Sequence, residues 1–175
     1  GFYRRFISRL HRQGLHAYAL LGSAYLHTEA YVLPEHRAEA LAMFQRVLAY
    51  NAAASTDERF DGVNLDIEPH ILDQWPEQKL QLLRGFLDLG AALMELKQAS
   101  GQTLAVGPAI PFWLDGIEPD WHGVNRPVSE HVLGIFDYAA LMDYRDHALG
   151  RDGIVSNAAD EMASAERMHK RLVIG

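Results

Sequence analysis

Phe60-Asp61-Gly62-Val63-Asn64-Leu65-Asp66-Ile67-Glu68-Pro69-His70 is the stretch whose reading decides the fold. Val63, Leu65 and Ile67 alternate with Asn64, Asp66 and Glu68, and a period of two marks a β-strand. One face of that strand is wholly aliphatic. The other carries an amide and two carboxylates in a column, and Pro69 closes the strand because it has no N–H for a ladder. Alternation alone describes any half-solvated strand, so the neighbouring elements must settle what the column faces.

Towards the N-terminus, Phe2, Phe6, Ile7 and Leu10 fall at helical spacing, and Gly14 supplies a stop. Residues 15–21 form an apolar run that reads as a buried strand ending at Gly22-Ser23. Pro34 suits the first position of a helix whose inner stripe is Ala38, Leu41, Phe44, Val47 and Leu48. A polar loop over 51–59 leads into the central strand. Towards the C-terminus, Pro76 opens a long helix with Leu80, Leu83, Phe86, Leu87, Leu93 and Leu96 on one face, ended by Ser100-Gly101. Residues 103–110 read as a strand, 111–126 as a long aromatic-bearing loop, 127–133 as a short helix and 137–144 as another strand. Ile154, Ala158, Met162, Ala165 and Met168 mark a last helix before a final strand over 171–175.

Helix and strand alternate throughout, which predicts an α/β fold: a parallel sheet with helices on its outer side. Strands in such sheets are buried on both faces and run continuously apolar. The central strand breaks that rule, so its column faces the inside of a barrel or the crevice of an open sheet. Burying unpartnered carboxylates costs several kcal/mol or shifts their pKa values. A strand selected for stability would not repeat such residues, and the column reads as a site.

The chain offers about five strands, against the eight of a (β/α)8 barrel of about 250 residues. It begins on a helix and ends on a strand. The expectation is therefore one domain over residues 1–175, a TIM-barrel fragment holding strand 3 to strand 7 and cut at both ends. A doubly wound sheet is the alternative, although no strand-to-helix turn carries a Gly-rich phosphate loop. Either fold puts the reactive edge at the C-terminal ends of the strands, where Glu68 sits.

Composition narrows the partners. With 49% hydrophobic and 22% charged residues over 175 positions, the chain can bury a sizeable core. A net charge of −7 without a basic run argues against a nucleic-acid surface and against anionic membranes. The absence of Cys removes disulfides, thiolate catalysis and Cys-ligated zinc. No apolar run approaches the roughly 20 residues of a membrane span. The chain opens on Gly1 with no signal-peptide pattern, so its true N-terminus is expected to be missing. The compartment stays open, a secreted or periplasmic one included, as does the oligomeric state.

Glycoside cleavage needs a carboxyl group kept protonated near neutral pH and an anion to support an oxocarbenium-like transition state. Asp66 and Glu68 stand two apart on one face, with Cβ atoms roughly 6–7 Å apart by strand rise. An ionised Asp66 raises the pKa of Glu68. The same column with His70 offers oxygen and nitrogen ligands to a hard cation, so a metal-dependent hydrolase is an alternative. Trp75, Trp113, Trp121 and His122 lie on loops after strands, placed either to stack on sugar rings or to pack on helices. Asp143, Arg145 and Asp146 cluster at a strand end, where an Arg–Asp pair shaping the mouth competes with a role in the site. His16 and Tyr18 read as structural.

Residues 60–68 resemble the strand-4 signature of the chitinase-type glycoside hydrolases of family 18. That signature runs hydrophobic, Asp/Asn, Gly, hydrophobic, Asp/Asn, hydrophobic, Asp/Asn, any residue, Glu, and every position is filled. The resemblance implies a cofactor-free glycosidase barrel acting on a poly- or oligosaccharide. It makes Glu68 the general acid, Asp66 the group that orients the substrate's acetamido arm, and Asn64 their support. Met142-Asp143-Tyr144-Arg145 is similar to the family's Met-x-Tyr-Asp. Met142 and Tyr144 fit, Tyr144 as donor to the acetamido carbonyl, and Arg145 stands where the family has Asp. The strand-3 Ser-x-Gly-Gly is absent, with Leu21-Gly22-Ser23 in its region. His70, Trp75, Trp113, Asp143 and Arg145 complete the candidates for contact with carbohydrate. Glu68-Pro69 also resembles the clan A glycosidases, whose strand 4 ends Asn-Glu-Pro with the Glu as acid/base. Both resemblances give Glu68 one job and differ over the nucleophile. A carbohydrate-binding barrel without turnover is the further alternative, prompted by Arg145.

Overall fold

Chain order and sheet order coincide in this protein. A computed structural model describes residues 1–175, Ala24 by its backbone alone. From the N-terminus, α1 (Phe2–His11) leads to β1 (Tyr18–Leu21), 3-10 turns, α2 (Arg37–Ala52) and β2 (Gly62–Leu65). Then come α3 (Trp75–Ser100), β3 (Ala105–Pro111) and a small hairpin of β4 (Asp120–Trp121) and β5 (Val124–Asn125). The chain ends with α4 (Val128–Ile135), β6 (Tyr138–Met142), α5 (Ile154–Asn157), α6 (Ala159–Arg167) and β7 (Arg171–Ile174). The main sheet has five strands in the order β1-β2-β3-β6-β7, each parallel to its neighbour. A doubly wound sheet reverses direction at a switch point. This one does not, and the sheet is the wall of a barrel.

The aliphatic face of β2 turns to the helices. Val63, Leu65 and Ile67 are fully buried in one cluster with Phe44 of α2 and Leu83, Phe86 and Leu87 of α3. Leu80, expected on the same stripe, is exposed. Gln78 departs from helical geometry (φ −118°, ψ 19°), and Leu80 falls in the first turn after that kink, before burial begins at Leu82. On the inner face, close approach demands glycine. A Cβ at Gly62 would meet the Tyr18 ring at 2.3 Å, and one at Gly107 the Tyr138 ring at 2.7 Å. Those two rings meet edge to face at 5.8 Å, and the Tyr138 hydroxyl donates to the Val63 carbonyl at 2.9 Å. Arg171 of β7 lies over the Tyr138 ring at 5.7 Å. Aromatic rings thus occupy the lower inner face, below the carboxylates.

Three stretches differ from expectation. Residues 15–21 form a strand only from Tyr18, with Ala17 and Ala19 buried; Leu15 lies before the strand and Leu20, in register with Asn64, is exposed on the inner face of this edge strand. The last helix breaks at Ala158 into α5 and α6. On α1 the buried residues are Ile7 and Ser8, whereas Phe2, Tyr3 and Phe6 are exposed.

Polar groups fasten α1 instead. Arg4 donates to Glu58 at 3.2 Å and to the Ala53 carbonyl at 2.9 Å, and Ser8 donates to Asp57 at 2.8 Å. His11 sits between the Asp57 carbonyl at 2.7 Å and the Asp61 carboxylate at 2.9 Å. With acceptors at both ring nitrogens the imidazolium is favoured. The Asp61 hydrogen bond raises the His11 pKa above 6.5, against the opposing effect of burial. The contribution of this latch is complete below pH 6.5 and is lost as the pH climbs through the raised value. Amide exchange in α1, corrected for its intrinsic pH dependence, is expected to quicken over that climb in the wild type. A flat corrected profile would remove the latch.

Candidate active site

The β2 ladder ends at Leu65, three residues before Glu68 and earlier than the alternation implies. The backbone nevertheless stays tied to β1, because the Asp66 N–H donates to the Leu21 carbonyl at 2.7 Å. Side chains keep alternating past the ladder: Leu65 and Ile67 are buried, while Asn64, Asp66 and Glu68 are half-buried on the inner face. Gly22 sets this junction. Its φ is +129°, and a Cβ there would lie 2.0 Å from the Asp66 carbonyl oxygen. Only glycine lets the end of β1 pass so close to the backbone of Asp66.

The Glu68 side chain is 27% exposed. Burial first, then the Asp66 charge and then that of Glu29, push its pKa above the ordinary 4.5. That is the direction a general acid requires. Glu68 Oε2 lies 3.3 Å from His70 Nε2. Burial lowers the His70 pKa and so favours its neutral imidazole, which leaves the acid form of Glu68 undisturbed.

The 3-10 turn Pro69–Ile71 carries His70 into an aromatic group. Its ring meets Trp113 at 5.4 Å and Trp75 at 6.2 Å, and the two indoles are 6.1 Å apart, all edge to face. Trp75 comes from the start of α3 and Trp113 from the turn after β3. Trp113 remains 37% exposed. Trp121 does other work: its indole N–H donates to Asp88 at 2.8 Å and its ring packs on His131 at 5.5 Å.

Beyond β6 the predicted residues diverge. Tyr138, Ala140 and Met142 share the inner face by strand parity, and Met142 is half-buried there. Asp143, expected to meet the substrate, is fully buried on the opposite, helix side with Ala139 and Leu141. There its Oδ1 accepts from Asn157 of α5 at 2.9 Å. The Arg145 guanidinium lies over Phe112 at 4.9 Å and donates twice to Asp152 at 3.1 Å. The Arg–Asp pair at the mouth therefore exists, with Asp152 as its acid rather than Asp143 or Asp146. Tyr144 is 74% exposed, its ring beside Gly175 at the end of β7. His16 is exposed at the other end of the sheet, 3.3 Å from Asp61.

Glu68 and His70 touch, but among the described residues no three of His, Cys, Asp or Glu converge to hold a metal ion. No helix of the described chain is long and apolar enough to cross a membrane. Two acidic residues escape the sequence reading. Glu29, in the 3-10 turn Thr28–Val32, reaches Glu68 with its charge. Glu161, in the first turn of α6, is fully buried with neither carboxylate oxygen hydrogen-bonded. Burial, with Asp115, Asp160 and Asp143 adding to it, pushes its pKa up to about 7. An acid in a turn or a helix's first turn is ordinarily solvated, so neither carried a signal.

No family model matches the chain, and no curated protein matches it in sequence. Solved structures do match. A mutant of the class V chitinase of Nicotiana tobaccum in complex with NAG4 superposes with a TM-score of 0.63 at 17% identity, over 99% of this chain and 52% of that one. The fold is that of part of a chitinase catalytic domain. Catalytic domain 2 of the Ostrinia furnacalis Group II chitinase agrees, with a TM-score of 0.55 at 15% identity over 99% of this chain and 48% of its own. The chain thus spans about half the length of the chitinase structures it matches. Its fold is a partial TIM barrel similar to part of those structures, with Glu68 just past the C-terminal end of β2.

Proposed function

We propose that this chitinase-like half-barrel belongs to a glycoside hydrolase that cleaves O-glycosidic bonds in a poly- or oligosaccharide. The observation that supports it most is the Glu68 carboxyl: inward-facing, beside Asp66 and biased toward its acid form. Glu68 gives its proton to the glycosidic oxygen as the bond to the anomeric carbon breaks. The substrate's acetamido oxygen, oriented by Asp66 with Asn64 in support, takes up that carbon. Water then opens the cyclic intermediate, returning a proton to Glu68. Tyr144 is the donor to the acetamido carbonyl, and Met142, His70, Trp75 and Trp113 contact the sugar rings. The cycle uses no cofactor.

A second reading, binding without turnover, is favoured by Arg145, which is committed to Asp152 where the family has an acid. The two separate when the full-length protein is given chito-oligosaccharides, with new reducing ends counted beside calorimetric binding. New reducing ends are expected. Saturable binding without them selects the second reading, and neither signal ends both.

A further inference from the structure

We propose that His131 is an acid-released latch for the β4–β5 hairpin: as the neutral imidazole it ties down both ends of the hairpin, and on taking up a proton it lets the β5 end go. The inference is independent of the glycosidase reading. His131 lies on α4 and is fully buried. Its Nε2 stands 3.3 Å from the Pro119 carbonyl, just before β4. Its Nδ1 accepts from the Arg126 Nε–H, just after β5, at 3.1 Å. A carbonyl only accepts and a guanidinium only donates, so one protonation state satisfies both: Nε2 carries the hydrogen and Nδ1 keeps its lone pair. A second proton has to go onto Nδ1. There it sets N–H against N–H and cation against cation at 3.1 Å, with no exposure to solvent.

Among the described residues no carboxylate hydrogen-bonds the ring. Glu130, next to it on α4, accepts from Ser164 and Arg167 of α6, and Asp115 and Asp160 line the same surface cleft as that pair. Asp88 of α3 accepts the Trp121 indole N–H, with His122 Nε2 3.6 Å away. β6 brings Tyr138, whose hydroxyl is turned to the Val63 carbonyl. Burial, joined by the Arg126 charge, lowers the His131 pKa below 6.5, against the Pro119 and Val124 carbonyls and the Glu130 charge. The latch is therefore complete above pH 6.5 and weakens as the pH falls below it, because the unfolded ring takes its proton first.

The two strands of the hairpin are held unequally. α3 grips β4 directly, Arg84 donating to the Asp120 carbonyl at 2.7 Å and Trp121 to Asp88 at 2.8 Å. Val124 and Asn125 of β5 are exposed and pair only with β4. Their far end is fastened by Arg126, which lies so near α4 that a Cβ at Gly134 would meet its Nη2 at 3.1 Å. Below the hairpin, the Val128 N–H donates to the Ile117 carbonyl at 2.9 Å and closes the base of the loop. Loss of the Arg126 bond thus frees β5 and leaves β4 and the base in place.

The test is nitrogen NMR of the imidazole and guanidinium groups in the full-length protein, wild type against Arg126→Met, with thermal melting to confirm the fold. At pH 8 the wild type is expected to hold His131 as the Nε2–H tautomer, with the Arg126 Nε–H protected from exchange. On acidification below pH 6.5 that protection, corrected for intrinsic exchange, should fall by up to about tenfold per pH unit, one proton being taken up on opening. The Val124 and Asn125 amide resonances should move with the His131 titration. In Arg126→Met, His131 should titrate higher and the acid-linked movement of β5 should be gone. A protonated Nδ1 at pH 8, an unmoved His131 titration in folded Arg126→Met, or a β5 that stays put while His131 titrates each overturns the proposal. If Arg126→Met does not fold, His131→Gln, neutral at every pH, must abolish the acid-linked movement of β5, and movement that persists there is equally fatal.

Discussion

Glu68→Gln is expected to lower turnover of unactivated oligosaccharides by about 10²–10⁴-fold, the usual worth of a general acid. Gln keeps the shape of the side chain beside His70 but has no proton to give. Sugar binding should change little. Stability should hold or rise at pH 8, since a carboxyl whose folded pKa is raised costs stability once the pH exceeds its unfolded value near 4.5. The loss should shrink on aryl glycosides with acidic phenol leaving groups, which depart without being protonated. In the wild type, turnover should fall as the pH rises through the raised Glu68 value, and that limb should vanish in the variant. Full turnover of unactivated sugar by Glu68→Gln would strip the residue of its role.

Glu161→Gln should have the largest effect on stability. The wild-type carboxyl titrates near 7 in the folded chain against 4.5 unfolded, so the native state holds its proton more tightly. Stability from this group is therefore greatest below pH 4.5, declines as the pH rises and is gone above about 7. At 1.36 kcal/mol per unit that decline is about 3 kcal/mol. Gln is neutral throughout and removes the slope, but it leaves a buried amide in a place that offers neither oxygen a partner. The net gain at pH 8 should be roughly 1–3 kcal/mol, read from urea unfolding. At pH 4, where the wild-type carboxyl is protonated too, the same amide cost should leave the variant less stable than the wild type by up to about 2 kcal/mol. Equal stabilities at both pH values would mean that Glu161 is solvated in the native state.

How much of this is legible in sequence depends on how local the cause is. The outer face of β2 is written in the alternation of Val63, Leu65 and Ile67, and the alternation of helix and strand suffices for a parallel sheet with helices outside. The inward column from Asn64 to Glu68 follows by parity alone. β6 has no such alternation: residues 138–142 are apolar throughout, so nothing local says which side Asp143 takes, and a shift of one residue reverses the answer. The stripe on α1 shows periodicity, but periodicity does not say whether a partner covers it, and Phe2 and Phe6 are left uncovered. Asp152 meets Arg145 through a chain reversal of several residues, whose direction no spacing rule supplies.

The grouping of His70 with Trp75 and Trp113 gives the protein its own optical probe. Of three tryptophans, two stand 6.1 Å apart at the edge of the proposed cleft, and the third is fixed on Asp88 by its indole N–H. Indole emission responds to the polarity and mobility of whatever touches the ring. Occupancy of the cleft therefore registers in the fluorescence of the unlabelled chain, with Trp121 as a steady background.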